Sequence, residues 1–382
     1  MEFNAQRQPV VSKNIVILSD GTGQAGGLHP GRDTNVFKLF QACPVVPGVQ
    51  QTFYDPGLGS GREPTERTRW RRVHDLFSRV TGLGLTRNIE DCYDALIRMY
   101  EPGDRIFLFG FSRGAYTVRS LGGVLSLCGI PARSLGGVDL HTTDRLRRWA
   151  AEVAVRYVYK RYGRDAASVA RRVSRARRFR RRHHCHDVVP YFIGVWDTVR
   201  AIGLPGIGKS VIWRHAFHDS KLDPRVPYAR HALSIDENRS IFAPELWEAG
   251  PDEPEGRIKQ VWFPGVHSDV GGGYAETGLS DLTLDWMLNE ATSIPEPLLV
   301  DRASLNLQPS HRGLQHDQRI GWGRLWAEGV RRQIHPEFVP DVPVGKRMSE
   351  ENVPTVHGER PYRPAALRTH PVYKEFYSRR RR

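Results

Sequence analysis

The run Asn14-Ile15-Val16-Ile17-Leu18-Ser19 is apolar and β-branched through its middle and stops at Asp20-Gly21-Thr22-Gly23, which predicts a strand buried on both faces and closed by a tight loop. Arg105 to Phe111 repeats the pattern more strongly, and weaker versions run over Gln51–Tyr54, Val188–Trp196 and Lys259–Phe263. Between them the period changes from two to that of a helix. Ile89, Cys92, Tyr93, Leu96, Ile97 and Tyr100 predict a helix over 86–100 that ends at Pro102-Gly103, and residues 113–127 predict a second that ends at Gly129. The stretch Tyr228 to Leu233 is helix-like, with His231 packed inside it. Strands alternating with helices imply an α/β fold, a mostly parallel sheet flanked by helices on both faces and joined by right-handed crossovers.

Charge interrupts this alternation. The chain of 382 residues has a formal net charge of +14, and residues 145–182 hold 15 Lys or Arg against the two acids Glu152 and Asp165. Most of the excess charge is therefore in one segment. Residues 133–187 read as a basic, helical insertion or cap within a catalytic domain over 13–295, and 296–382 as an irregular basic C-terminal flank rich in Pro and Arg. A field concentrated over Arg145–Arg182 draws anionic surfaces, of which a phospholipid membrane is the expected partner and nucleic acid is not.

Composition narrows the class. With 39% hydrophobic and 26% charged residues, the chain is neither disordered throughout nor collagenous, and Cys43, Cys92, Cys128 and Cys185 are too far apart for a disulfide scaffold or a zinc knuckle. The longest weakly polar run, Leu121 to Ala132, is too short to span a membrane, and Met1 to Lys13 lacks a secretory signal pattern. Synthesis in the cytoplasm is expected.

Gly110-Phe111-Ser112-Arg113-Gly114 follows the clearest strand and opens a helix, the context of a nucleophile elbow. A serine hydroxyl needs a base to take its proton, and an imidazole base needs an acid to hold its tautomer. In open α/β sheets such groups gather at the carboxyl ends of strands. Asp197 closes the strand that ends at Trp196, and His267 follows the strand and turn Val261 to Val266, so Ser112, Asp197 and His267 are the candidate nucleophile, acid and base. Asp269 is the alternative acid. Gly21 and Thr22, with the backbone N–H of Arg113, are candidate oxyanion donors, the competing reading of the loop being a simple strand-ending turn.

Two other patterns compete. Gly203-Leu204-Pro205-Gly206-Ile207-Gly208-Lys209-Ser210 matches a phosphate loop, but it does not leave a strand directly and no later strand ends in a magnesium-binding aspartate. His183-His184-Cys185-His186-Asp187 is capable of binding a metal, but adjacent residues cannot all face one tetrahedral ion. No metal or cofactor is expected.

Five segments in order resemble one family: Ile17 to Thr22, Gly110 to Ala115, Gly194-Val195-Trp196-Asp197-Thr198-Val199, His231 to Glu237, and Trp262 to Gly272. The chain resembles, over about residues 13 to 290, bacterial and fungal α/β-hydrolase proteins that include the first class of type VI secretion lipase effectors. The resemblance implies Ser112 as nucleophile, Asp197 as acid, His267 as base, and hydrolysis of glycerophospholipid esters. It also implies delivery to other cells by a secretion system, with a secretion or immunity partner. The arginine-dense insertion departs from the family pattern. The expected function is thus a serine-dependent carboxylic ester hydrolase, a phospholipase or lipase acting through an acyl-enzyme. The alternatives are a nucleotide-binding protein using Gly203–Ser210 and a non-catalytic anion-binding module on a hydrolase scaffold.

Overall fold

The structure is a computed structural model, and it describes residues 12–21, 31–57, 82–161, 163, 165–199, 221–239, 242–319, 332–335, 338 and 340–378. Its centre is a six-stranded, wholly parallel sheet built from β1 (Asn14–Ser19), β2 (Gln50–Asp55), β3 (Arg105–Phe111), β4 (Phe192–Trp196), β5 (Tyr228–Ser234) and β6 (Ile258–Phe263) in the order β2-β1-β3-β4-β5-β6. The order reverses between β1 and β3, because β1 leads outward to β2 while β3 leads the other way. That switch point opens a crevice beyond the carboxyl ends of both strands.

The continuous apolar runs are explained by burial on both faces. Ile15, Ile17, Ile106, Leu108, Ile193 and Val195 point to one side, where they meet α2 (Gly82–Met99) and α3 (Arg113–Cys128). Val16, Leu18, Phe107, Phe109 and Trp196 point to the other, against α1 (Asn35–Ala42) and residues of a later helix over Gly278–Thr292. The helix expected over 86–100 begins earlier, at Gly82, and α3 ends with Gly129 at φ 69°, a conformation that glycine adopts without penalty.

β5 corrects the helix-like reading of 228–233. A strand containing Arg230 and His231 can lie inside the sheet because both side chains find polar partners there: Arg230 pairs with Glu290 at 2.5 Å, and His231 Nε2 accepts the Thr198 N–H at 3.1 Å. Val188 to Pro190 likewise stay outside the ladder, which the chain joins just after the proline, where the Tyr191 N–H donates to Ile106 O of β3 at 2.8 Å.

The basic insertion holds α4 (Asp144–Glu152), a π-helical stretch (Val153–Tyr159) and α5 (Ala166–Arg182). Its main contacts are with α2 and α3, and Ile130, just past the end of α3, exchanges backbone hydrogen bonds of 3.0 and 2.8 Å with His186. A 16-residue helix is about 24 Å long, so the end of α5 lies far from Ser112 at the start of α3.

The flank expected to be irregular carries α6 (Val342–Ser349) and a hairpin, β7 (Val353–Thr355) with β8 (Gly358–Arg360). Ile334, Val344, Met348, Val353, Tyr362, Leu367 and Tyr373 form a cluster with Leu233 and Ile235 of the β5 end and Trp262 of β6. Its apolar positions follow no single period because turns separate them, which is why the sequence pattern does not disclose it. Cys43, Cys92 and Cys128 are buried and, with Cys185, unpaired. No described helix is long and apolar enough to cross a membrane.

Candidate active site

Ser112 joins β3 to α3 with φ 57° and ψ −116°, a conformation rarely adopted by a residue with a side chain. The turn is held on both sides. Ser112 donates its N–H to Trp196 O at 3.1 Å, and the glycines flanking the turn allow two backbones to meet. A methyl group at Gly110 would lie 2.5 Å from Gly114 O, and one at Gly114 would overlap the Ser19 carbonyl and lie 2.7 Å from Asp20 O. The end of β1 thus rests directly on the start of α3, and Ser112 is half-buried at that junction.

Asp197 follows β4 with φ 38° and is fully buried. Its Oδ2 lies 2.6 Å from Nδ1 of His267, so the neutral imidazole carries its proton on Nδ1 and keeps Nε2 free. The ring packs against Phe111 (centroids 4.6 Å apart) and Phe242 (4.9 Å). Phe111 is the residue before Ser112, so the ring that supports the imidazole is joined directly to the elbow. Among the described residues no hydrogen bond joins the Ser112 hydroxyl to His267.

Four further groups hold the pair. Asp197 accepts the Ser234 N–H at 3.0 Å, and the Arg332 guanidinium reaches its Oδ1 at 2.5 Å and Oδ2 at 3.0 Å. The His267 N–H points to Glu237 Oε2 at 3.3 Å, and Glu237 is in turn paired with Arg239 at 2.7 and 2.9 Å. Burial on its own would raise the Asp197 carboxyl, but the Arg332 charge and the His267 hydrogen bond outweigh it and hold the group well below the usual carboxylate range. His267 is lowered, because burial disfavours its charged form more than Asp197 favours it.

Asp269 is occupied elsewhere. Its Oδ1 lies 2.7 Å from His316 Nδ1, its Oδ2 accepts the Val266 N–H at 3.0 Å, and His316 stacks on Tyr274 with centroids 3.6 Å apart. It holds the turn before His267 rather than the imidazole itself. Beside this turn is a cavity of about 400 Å³, lined by residues that include Glu237, Val266, His316, Arg332 and Tyr362.

Of the candidate oxyanion donors, Arg113 is the first residue of α3, where a helix leaves its N–H groups without intrahelical partners. Gly21 donates its N–H to Asp20 Oδ1 at 2.7 Å, and Thr22 lies outside the described residues. Asp20, buried, also accepts the hydroxyls of Thr34 (2.6 Å) and Tyr54 (2.8 Å), and burial pushes its carboxyl up to about 7. The Gly203–Ser210 loop also lies outside the described residues.

Sequence reasoning missed the supporting groups. Asp20 and Glu237 do stand inside the quoted motifs, so position could have suggested them. Arg332 follows every motif and carries no local signal.

The chain is similar to several known proteins. Residues 13–290 match the model of the type VI secretion phospholipase effector, Tle1-like, catalytic domain. The uncharacterised protein YEL023C of Saccharomyces cerevisiae is 26% identical over 236 residues, which are 60% of this chain and 32% of that protein. Two solved structures are each 18% identical. An uncharacterised protein from Pseudomonas aeruginosa has a TM-score of 0.44, covering 79% of this chain and 49% of that one. The Tle1 effector bound to the VgrG spike of the type 6 secretion system has a TM-score of 0.32, covering 70% and 52%. This chain thus spans a third to a half of the length of these relatives. Since the family model takes in all five motifs and both members of the Asp197–His267 pair, the chain belongs to the Tle1-like phospholipase effector family through its catalytic domain.

Proposed function

We propose that the protein is a serine-dependent hydrolase of glycerophospholipid carboxylic esters. The observation that carries this reading is the 2.6 Å Asp197–His267 pair, packed on Phe111 beside the strained Ser112 elbow. Ser112 Oγ attacks the ester carbonyl carbon as His267 Nε2 takes its proton. The tetrahedral intermediate collapses, the C–O bond to the glycerol alcohol breaks, and His267 returns the proton to that alcohol. Water then attacks the acyl-enzyme by the same route and releases a fatty acid. Substrate binding closes the gap between Ser112 and His267, since catalytic hydrogen bonds often tighten only in the complex. The oxyanion is met by the Arg113 N–H and by Thr22 or Gly21, the latter after its N–H leaves Asp20.

The exposed arginines of α5 support contact with anionic headgroups. Arg171, Arg175, Arg178 and Arg182 follow helical spacing along one exposed stripe, and the last turn of α5 lies by the end of α3 opposite Ser112. It acts as a binding surface apart from the catalytic turn. Family membership supports delivery by a type VI secretion system, and the VgrG-bound Tle1 structure supports a secretion partner for this chain.

The test is Ser112→Ala, assayed for fatty acid released from phosphatidylglycerol vesicles, together with fluorophosphonate labelling of the wild type. The variant is expected to lose release and labelling while keeping salt-sensitive vesicle binding. Undiminished release from the variant rules out the mechanism. ATP binding that is lost in Lys209→Ala and kept in Ser112→Ala, in a wild type the probe does not label, would favour the phosphate-loop reading instead.

A further inference from the structure

We infer that Arg332 is a positioning residue for the catalytic acid, so that the segment beyond the family-matched region completes the site. This rests on the serine hydrolase reading above. The guanidinium meets the Asp197 carboxylate fork to fork, at 2.5 Å from Oδ1 and 3.0 Å from Oδ2. Its outer hydrogens go to Ser234 O and Phe242 O, each at 2.8 Å. These contacts place one planar group against β5, against the segment that carries Phe242, and against the acid. Two residues on, Ile334 is buried in the cluster with Leu233, Ile235 and Trp262 and anchors Arg332 against the sheet.

The chemistry follows from counting charges around the imidazole. The charged groups facing His267 are Asp197 and the Glu237–Arg239 pair, and the turn that leads into it is braced by Asp269 with His316. Glu237 is neutralised by Arg239, and Asp269 by a partner that it holds away from His267. That leaves Asp197, which is fully buried and whose cationic partner is Arg332. Without the guanidinium, one uncompensated carboxylate would face the imidazole and stabilise its protonated form. The base would then be occupied at pH values where it is free in the wild type. Arg332 thus does two things: it fixes the plane of the carboxylate that orients His267 Nδ1, and it limits the negative field at His267. A lysine can supply the charge but not the planar fork.

Arg332→Met and Arg332→Lys test the assignment, through the pH dependence of kcat/KM and the kcat and KM values for a soluble acyl nitrophenyl ester. In Arg332→Met the acid limb is expected to move up by roughly one pH unit or more, and kcat to fall ~10²-fold from misplacement of the acid, with KM little changed. Arg332→Lys should return the limb towards the wild-type position while kcat stays roughly tenfold low. A folded Arg332→Met with the wild-type limb overturns the proposal. If the methionine variant does not fold, the lysine variant decides: a drop in kcat at unchanged KM supports the role of the fork, and wild-type kcat overturns it. Failure of the underlying reading is separate, since it would show as activity retained in Ser112→Ala.

Discussion

Replacing Gly114 by alanine tests the close approach on which the whole site is built. In an ordinary helix the change would be favourable by up to about 1 kcal/mol, because alanine is the better helix former. Here the new methyl would overlap the Ser19 carbonyl and lie 2.7 Å from Asp20 O. Carbon and carbonyl oxygen settle at about 3.3 Å even in close backbone contacts, so the Asp20 oxygen must retreat by about 0.6 Å and the Ser19 oxygen by more. Ser19 cannot easily give way, for it is paired with Asp55 on one side and Gly110 on the other, and its hydroxyl donates to Asp55 Oδ2 at 2.7 Å. Overpacking costs about 1–3 kcal/mol where side chains can adjust and more where backbone must move. After the helix gain, the net loss is about 2 kcal/mol, or roughly 0.7 M in the urea midpoint at a slope of about 3 kcal/mol/M. Because the displaced atoms belong to the loop that faces Ser112, turnover should fall ~10²-fold as well. Gly122→Ala is the control: it lies in the same helix, where its nearest neighbour would be Ile193 Cδ1 at 3.3 Å, so its midpoint should stay close to wild type. Urea unfolding and ester hydrolysis, measured on both variants, are the assays. A Gly114→Ala protein as stable and as active as wild type would refute the packing account of the elbow.

Two pH effects follow from the imidazoles of His267 and His316. His267 is held below its ordinary value by burial, so the acid limb of kcat/KM should fall at a pH below about 6.5; a limb above 7 in the pH–rate profile would contradict this. His316 is raised: burial lowers it, but the Asp269 hydrogen bond and charge, with Glu276, more than offset that. A raised folded pKa gives stability that is full below the unfolded value near 6.5 and is lost as pH rises through the folded value. The urea midpoint of wild type should therefore exceed that of His316→Gln by more at pH 6 than at pH 9, and an equal gap at both would remove the ion pair as the cause.

The lessons about legibility differ by element. β1 and β3 are readable because burial on both faces demands an unbroken apolar run, and α3 because its small residues at Gly114 and Ala115 follow a strand at once. β5 is not readable, since Arg230 and His231 resemble the polar side of a helix until Glu290 and Thr198 are in place beside them. Ser112, Asp197 and His267 can be proposed from the strand ends they follow. Asp269, two residues from His267, is the alternative acid with the more awkward side-chain geometry, and only its 2.7 Å contact with His316 shows where it is engaged.

By itself the sequence determines the alternation of strands and helices, the position of the elbow and the location of the positive charge, because each depends on neighbours within a few residues along the chain. Tertiary structure decides the rest: the order β2-β1-β3-β4-β5-β6, the pairing of His267 with Asp197 and of His316 with Asp269, the packing of the basic helices on α2 and α3, and the arrival of Arg332 from 135 positions beyond the carboxylate it grips. A buried carboxylate needs a partner of opposite charge, but nothing in local chemistry says from which part of the chain it must come.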